Sequence, residues 1–194
     1  GTIEWSFTTQ DIIKGPGVLC PDKKHVFIGS YDGNMYALHA GNGSEMWTFA
    51  TNGPINDAPV LGWNEALFFG STDGLVYSLN GSSGQELEWQ AEVEIRYWGE
   101  ALTAPLLDRA GLGDEAARVY NGSSSGYVYA LHQTNGSQVW AHITSGTLQS
   151  DMLVVHNETL YFATIKGVIE AVRTMNGSQV WSFDSGFKVS VLQL

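Results

Sequence analysis

The sequence predicts an all-β fold, a β-propeller built of four-stranded antiparallel blades, and three observations carry that prediction. Trp5, Trp47, Trp89, Trp140 and Trp181 recur at intervals of 42, 42, 51 and 41 residues, each shortly after a glycine-bearing turn. A period near forty marks an array of stacked structural units. Within each unit the apolar runs are short, β-branched and aromatic, which suits strands. The 23 glycines, each costly inside a helix, weigh against helical repeats.

Each unit opens with an apolar stretch containing a small residue or proline and continues with a strand. That strand reads His25-Val26-Phe27-Ile28-Gly29-Ser30, then Ala66-Leu67-Phe68-Phe69-Gly70-Ser71, Arg118-Val119-Tyr120-Asn121-Gly122-Ser123 and Thr159-Leu160-Tyr161-Phe162-Ala163-Thr164. Asp32-Gly33, Asp73-Gly74, Ser125-Gly126 and Lys166-Gly167 follow, two-residue signals for tight hairpins between antiparallel neighbours. The next strand, Met35-Tyr36-Ala37-Leu38, recurs as Val76-Tyr77-Ser78-Leu79, Tyr127-Val128-Tyr129-Ala130-Leu131 and Val168-Ile169-Glu170-Ala171-Val172. It lacks polar alternation, so both of its faces are expected to be covered. A second glycine turn then leads to the tryptophan. Burying an indole contributes about 4–6 kcal/mol as an upper bound, so the five regular tryptophans are expected to be packing anchors between units.

With 194 residues the chain is read as one domain, 1–194, with blades at 6–47, 48–89, 90–140 and 141–181 and the start of a further blade at 182–194. Nine Lys and Arg against 20 Asp and Glu give a formal charge of −11. Such a field repels phosphate backbones and anionic headgroups, so neither nucleic acid nor membrane insertion is expected. The single cysteine, Cys20, excludes an internal disulfide and a cysteine-based metal cluster.

The run Gly29-Ser30-Tyr31-Asp32-Gly33-Asn34-Met35-Tyr36-Ala37-Leu38, leading through a glycine turn to Trp47, resembles the repeat of the pyrroloquinoline-quinone-type (PQQ-like) β-propellers, and similar copies cover nearly the whole chain. Blade two departs by one residue between Gly84 and Trp89, which suggests a bulge there, and blade four has Lys166 and Glu170 in place of Asp and Tyr. The resemblance implies either quinone-dependent dehydrogenases or non-catalytic members, such as the propeller lipoprotein of the outer-membrane barrel assembly machinery and the lumenal domains of stress-sensing kinases. Dehydrogenases that carry an adjacent-cysteine disulfide are not matched by a chain with Cys20 alone, and the family's calcium ligands and catalytic aspartate find no counterparts here. Such propellers usually have seven or eight blades, so the chain is read as part of a larger ring.

Among individual residues, Asn42, Asn135 and Asn176 begin Asn-Gly-Ser at the same hairpin of three blades, and Asn80 and Asn157 begin two further acceptor triplets for N-glycosylation. Asn-Gly is also the favoured two-residue turn. Asn121 begins a sixth triplet but falls on a strand position. The histidines show no ligand spacing, the carboxylates at 86, 88, 92 and 94 alternate along a strand edge, and Asp32 and Asp73 are turn formers. No metal site, cofactor or catalytic set is assigned. The connection into blade three is longer than its counterpart and holds Arg96, Tyr97 and Trp98, residue types enriched at binding hot spots; these are the interface candidates. A second insertion, around 108–115, is expected on the opposite face.

The function expected is therefore a non-catalytic scaffold for protein–protein interaction or assembly, in an extracellular or secretory-lumen compartment. Its partners are other proteins, the remaining blades of a larger propeller, or a second copy. The alternatives are a fragment of a PQQ- and calcium-dependent dehydrogenase and a lumenal sensor of unfolded protein.

Overall fold

Among the residues that the computed structural model describes, 2–62, 65–84, 87–93, 102–108 and 117–186, sixteen strands form four separate four-stranded antiparallel sheets. The first holds β1 (Val18–Leu19), β2 (His25–Gly29), β3 (Asn34–His39) and β4 (Glu45–Ala50). The second holds β5 (Val60–Leu61), β6 (Ala66–Gly70), β7 (Leu75–Asn80) and β8 (Leu87–Glu92). The third is β9 (Leu106–Leu107), β10 (Arg118–Ser123), β11 (Tyr127–His132) and β12 (Gln138–Ile143), and the fourth β13 (Leu148–His156), β14 (Thr159–Thr164), β15 (Val168–Arg173) and β16 (Gln179–Asp184). Strands pair in chain order within every sheet, so each is a meander, the blade of a propeller.

Side-chain alternation explains why the middle strands carry so little polarity. On β6, Leu67 and Phe69 join the core shared with the first sheet, beside Phe27, Met35 and Trp47, while Phe68 and Ala66 join the core shared with the third, beside Val119, Tyr129 and Leu131. Similarly, Val119 of β10 faces the second sheet and Tyr120 the fourth, where it meets Leu160, Phe162 and Val172. Successive residues of a strand point to opposite faces, so a blade between two others buries both. The hydrophobic core thus lies between sheets rather than within one.

Hairpin chemistry fixes the register. Gly33, Gly74, Gly126 and Gly167 all have φ between 83° and 89°, and each follows its turn residue at the tip between the second and third strands. Between the third and fourth strands the pairing shifts in all four sheets, at Ala37/Leu38, Ser78/Leu79, Ala130/Leu131 and Ala171/Val172. The bulge expected for blade two is therefore common to every blade. The extra residue of blade two falls between Asn80, the end of β7, and Leu87, the start of β8, against His39 and Glu45 in the first sheet.

The tryptophans stitch one sheet to the next. Trp5 Nε1 donates to the Ala40 carbonyl at 2.8 Å, Trp47 to Gly81 at 3.1 Å, Trp89 to Gln133 at 2.8 Å and Trp140 to Thr174 at 2.8 Å. In every case the acceptor belongs to the turn of the following sheet, and the ring lies on a glycine three residues later: Gly43, Gly84, Gly136 or Gly177. Within its own sheet each of Trp47, Trp89 and Trp140 packs on an aromatic of the second strand, Phe27, Phe68 or Tyr120, with ring centroids 5.6–5.8 Å apart.

The docking glycines are doubly constrained. Gly136 has φ +69°, and a Cβ there would lie 2.4 Å from Trp89, whereas Gly41 has open space around it. Gly136→Ala combines left-handed strain with displacement of a packed indole and is expected to destabilise the chain by about 2–4 kcal/mol in denaturant unfolding. Gly41→Ala is expected to change stability by less than about 0.5 kcal/mol in the same assay.

Candidate functional site

A second seam between sheets runs along the hairpin tips, and it is where the blades differ. Asp32 Oδ1 accepts from the Asn34 amide at 2.9 Å, while its Oδ2 accepts from Tyr36 Oη at 2.8 Å and from the Gln10 amide at 2.9 Å. Asp73 repeats the pattern with Leu75, Tyr77 at 2.7 Å and the Asn52 amide at 3.0 Å. Gln10 and Asn52 each lie five residues after the tryptophan of the preceding unit. The turn aspartates thus close their own hairpin and hold the preceding segment. Burial raises the Asp32 carboxyl pKa, but the hydrogen bonds from Tyr36, Gln10 and Asn34 outweigh it and hold the group below the usual carboxylate range. Burial, reinforced by Asp32, pushes the Tyr36 hydroxyl up to about 12, so it stays a donor. These carboxylates do not fit a quinone–calcium site, because their oxygens are already committed to turn and seam.

At the junction of the third and fourth sheets the same task is done by other groups. Glu170, at the position of Tyr36 and Tyr77 and only 3% exposed, accepts from the Ser145 amide at 2.8 Å and the Ser145 hydroxyl at 2.6 Å. Its other oxygen faces His142 Nε2 at 3.2 Å, and His142 Nδ1 lies 3.1 Å from the Gly177 carbonyl. Ser145 is again five residues after a tryptophan, and Lys166, in the place of the turn aspartate, donates to its carbonyl at 3.3 Å. His142 corresponds to Phe49, which packs edge-on against Tyr77 at 5.7 Å. An aromatic contact between sheets has become a hydrogen-bonded His–Glu pair. It is not a nucleophilic triad, since the carboxylate sits between serine and histidine and leaves the hydroxyl without a base.

A cavity of about 200 Å³ opens between the same two sheets near the tryptophan-docking turns, lined by Asp108, Arg118, Tyr120, Glu158, Arg173 and Asn176 among others. Tyr120 Oη donates to Asp108 Oδ2 at 3.4 Å, and burial followed by the Asp108 charge raises its pKa well above the ordinary value. Two guanidinium and two carboxylate side chains, Arg118, Arg173, Asp108 and Glu158, surround one opening. The side chains able to ligate a metal that converge among the described residues are Cys20, Asp22 and His25, around the hairpin joining β1 to β2. Their sequence signal is three ligand types within six residues, Cys20-x-Asp22-x-x-His25, which escapes a search for cysteine pairs or helical histidine spacing.

Of the residues singled out by sequence, Arg96, Tyr97 and Trp98 lie outside the described residues. Trp47, Trp89 and Trp140 are 6–7% exposed, whereas Trp181 is 42% exposed and has no docking partner among the described residues. Asn42, Asn135 and Asn176 are exposed, and the side-chain oxygen of each accepts the amide of the serine two residues on, at 2.9–3.0 Å. Asn80 makes the same contact with Ser82 at 3.0 Å, and Asn157, at φ 47°, is exposed in the turn between β13 and β14. Asn121 is buried, donating to the Thr103 carbonyl at 2.8 Å.

Glu170 gives this junction a pH dependence. Its burial raises the carboxyl pKa, and the hydrogen bonds from His142 and Ser145 lower it by more, for a net depression. A carboxylate with a depressed folded-state pKa contributes stability above its unfolded value, near 4.5, and loses it as the pH falls through the folded value. Glu170→Gln is expected to cost about 1–3 kcal/mol at pH 7, with the gap to wild type shrinking below about pH 4.5. Urea unfolding of both chains across that range checks this.

The sequence model of a family described as outer membrane protein assembly factor BamB matches residues 1–106 and 72–192. No curated protein matches the chain. Among solved structures it is similar to BamB from Moraxella catarrhalis, with 20% identity and a TM-score of 0.73 over 98% of this chain and 59% of that one. It is also similar to two computationally designed proteins. Ika8 is 17% identical with a TM-score of 0.72, over 88% of this chain and 50% of that one. Ika4 is 16% identical with a TM-score of 0.71, over 89% of this chain and 98% of that one. The chain thus spans about three-fifths of the Moraxella BamB chain and half of Ika8. With the family match running through nearly all of its four tryptophan-stitched sheets, the chain belongs to the PQQ-like repeat β-propeller family, in the group described as outer membrane protein assembly factor BamB.

Proposed function

We propose that the chain is a non-catalytic scaffold for protein–protein assembly and one run of blades, 1–194, within a larger propeller. The observation that carries this reading is the outer strand of the fourth sheet. Val180, Trp181 and Phe183 are 46%, 42% and 59% exposed on β16, although the tryptophans at the same position in the preceding sheets are buried on the next sheet. An exposed apolar strand of this kind marks an interaction surface. Its partner is a β-blade presenting an Asn-Gly turn, with a carbonyl for the indole N–H and a glycine for the ring. The family description, an assembly factor, supports the same reading. Arg96, Tyr97 and Trp98 are proposed as a further contact of this scaffold.

The acceptor turn of the first sheet is already filled by Trp5 of the same chain. Trp5→Ser vacates it, so at concentrations where wild type sediments as a monomer this variant is expected to associate head to tail. Trp5→Ser combined with Trp181→Ser is expected to return to monomer. A Trp5→Ser chain that folds and stays monomeric up to high concentration would count against β16 as a docking edge.

The description of the family as an outer-membrane assembly factor supports a compartment outside the cytoplasm. In an extracellular or secretory-lumen setting, Asn42, Asn80, Asn135, Asn157 and Asn176 are the proposed glycan acceptors, with the exposure of Asn42, Asn135, Asn157 and Asn176 as support. Peptides of the native protein that contain Asn42, Asn135 and Asn176 are expected to carry glycan mass removable by a glycosidase. Unmodified peptides at all three positions would overturn the glycosylation reading.

A further inference from the structure

We propose that the hairpin between β1 and β2 holds a divalent transition-metal ion of the zinc type, ligated by Cys20 Sγ, Asp22 Oδ2 and His25 Nδ1, with a fourth position open to water. The candidate ligand atoms lie within 4.8 Å of one another, and Asp22 Oδ2 stands 4.0 Å from His25 Nδ1, too far for a hydrogen bond. Around a tetrahedral ion with bonds of about 2.0–2.3 Å, neighbouring ligand atoms stand roughly 3.3–3.6 Å apart. Side-chain rotations that bring the ligand atoms together by up to about 1.5 Å close that difference.

Local structure already aims the groups. Asp22 Oδ1 accepts the Lys24 amide at 2.9 Å, which holds the carboxylate in place and leaves Oδ2 toward the histidine. Cys20, 3% exposed, is anchored through its amide to the His25 carbonyl at 2.9 Å, so the two ends of the hairpin are pinned together. Thiolate, imidazole and carboxylate together suit zinc, and three protein ligands with one open position make an exchangeable rather than a sealed site. On binding, the Cys20 sulfur exchanges its proton for the ion, and the proton passes to solvent.

The fold does not require these side chains. In the second sheet the equivalent pinning runs from the Gly62 amide to the Ala66 carbonyl at 2.8 Å, so glycine and alanine stand where Cys20 and His25 stand in the first. The third sheet uses Asp108 and Arg118 for the same contact. The hairpin closes through its backbone in all three, and the ligating set belongs to the first alone among the described residues. Lys24 lies close enough to act on the Asp22 carboxylate, which tempers the attraction for a dication.

Cobalt(II) titration of the tag-free 194-residue chain under reducing conditions tests the assignment. The expected result is thiolate-to-cobalt charge-transfer absorption saturating at one equivalent and bleached by zinc. Cys20→Ser is expected to abolish the band, and Asp22→Asn and His25→Ala to weaken binding by more than about tenfold, while His156→Ala leaves it unchanged. The sibling hairpin tolerates glycine and alanine at the two positions, so these variants are expected to fold, and thermal unfolding without metal verifies it. If Cys20→Ser does not fold, Asp22→Asn and His25→Ala carry the same readout. Absence of the charge-transfer band in wild type, or its persistence in folded Cys20→Ser, overturns the site.

Discussion

The structure depends on one contact made over and over: an indole laid on a glycine of the next sheet, with its N–H in that sheet's turn carbonyl. It joins residues 34–44 apart in sequence and is repeated from Trp5 to Trp140. A hydrogen bond alone contributes about 1 kcal/mol, but here it orients a ring whose burial contributes several times more. Directional and non-directional terms therefore act on the same atoms. The contact also dictates the turn: any side chain on Gly43, Gly84, Gly136 or Gly177 would enter the indole, and the positive φ of these residues disfavours one anyway. The three-residue step from acceptor carbonyl to seat glycine is the same in all four turns because one indole must find both at once.

The second seam obeys a looser rule. What recurs is a carboxylate oxygen opposite the amide five residues beyond Trp5, Trp47 and Trp140, not a residue type. Asp32 and Asp73 supply that oxygen from the hairpin tip, braced by tyrosines, whereas Glu170 supplies it from the strand and Lys166 takes the tip. The longer glutamate reaches from the tyrosine position to the same amide. Its charge then sits where Tyr77 places a ring, and the facing residue changes from Phe49 to His142 so that a polar partner meets it. A buried carboxylate without such partners would cost several kcal/mol, so the exchange works only as a set.

These two seams explain what was legible in the sequence. Strands, tip glycines and the tryptophan rhythm repeat within each unit, so a periodic reading finds them, and the four sheets follow. The lack of polarity in Met35-Tyr36-Ala37-Leu38 also foretold a strand covered on both faces. The His142–Glu170 exchange was harder to see because its halves lie in successive repeats and look like unrelated irregularities: Glu170 departs from the tyrosine pattern, while His142 is one of five histidines without ligand spacing. Only the stacking of one sheet on the next puts them 3.2 Å apart. The Cys20 cluster was hidden for the opposite reason, since it is local, occurs in a single hairpin and has no periodic echo. A bulge was expected in blade two alone, from its longer Gly84–Trp89 spacing, whereas the shift shared by all four sheets leaves no irregular spacing of its own and escaped a reading that looks for departures.

Because Trp5, Trp47, Trp89 and Trp140 all reach forward to the following sheet, the stack has a direction. At one end the donor is the segment carrying Trp5 and Phe7, whose ring meets Tyr36 edge-on at 5.3 Å, and Gln10 adds its amide to Asp32. That segment supplies to the first sheet the contacts that an outer strand supplies elsewhere, so the acceptor turn there is filled. At the other end Trp181 packs against Tyr161 within its own sheet, at 6.0 Å, and is 42% exposed, with no docking turn among the described residues. The asymmetry constrains what can bind. Head-to-tail contacts either close a ring or run on indefinitely, and an occupied acceptor at the front blocks indefinite growth from identical chains. A forward-reaching tryptophan is satisfied by a blade whose own acceptor turn is vacant, which is the property of a continuing propeller or of a partner built to complete one.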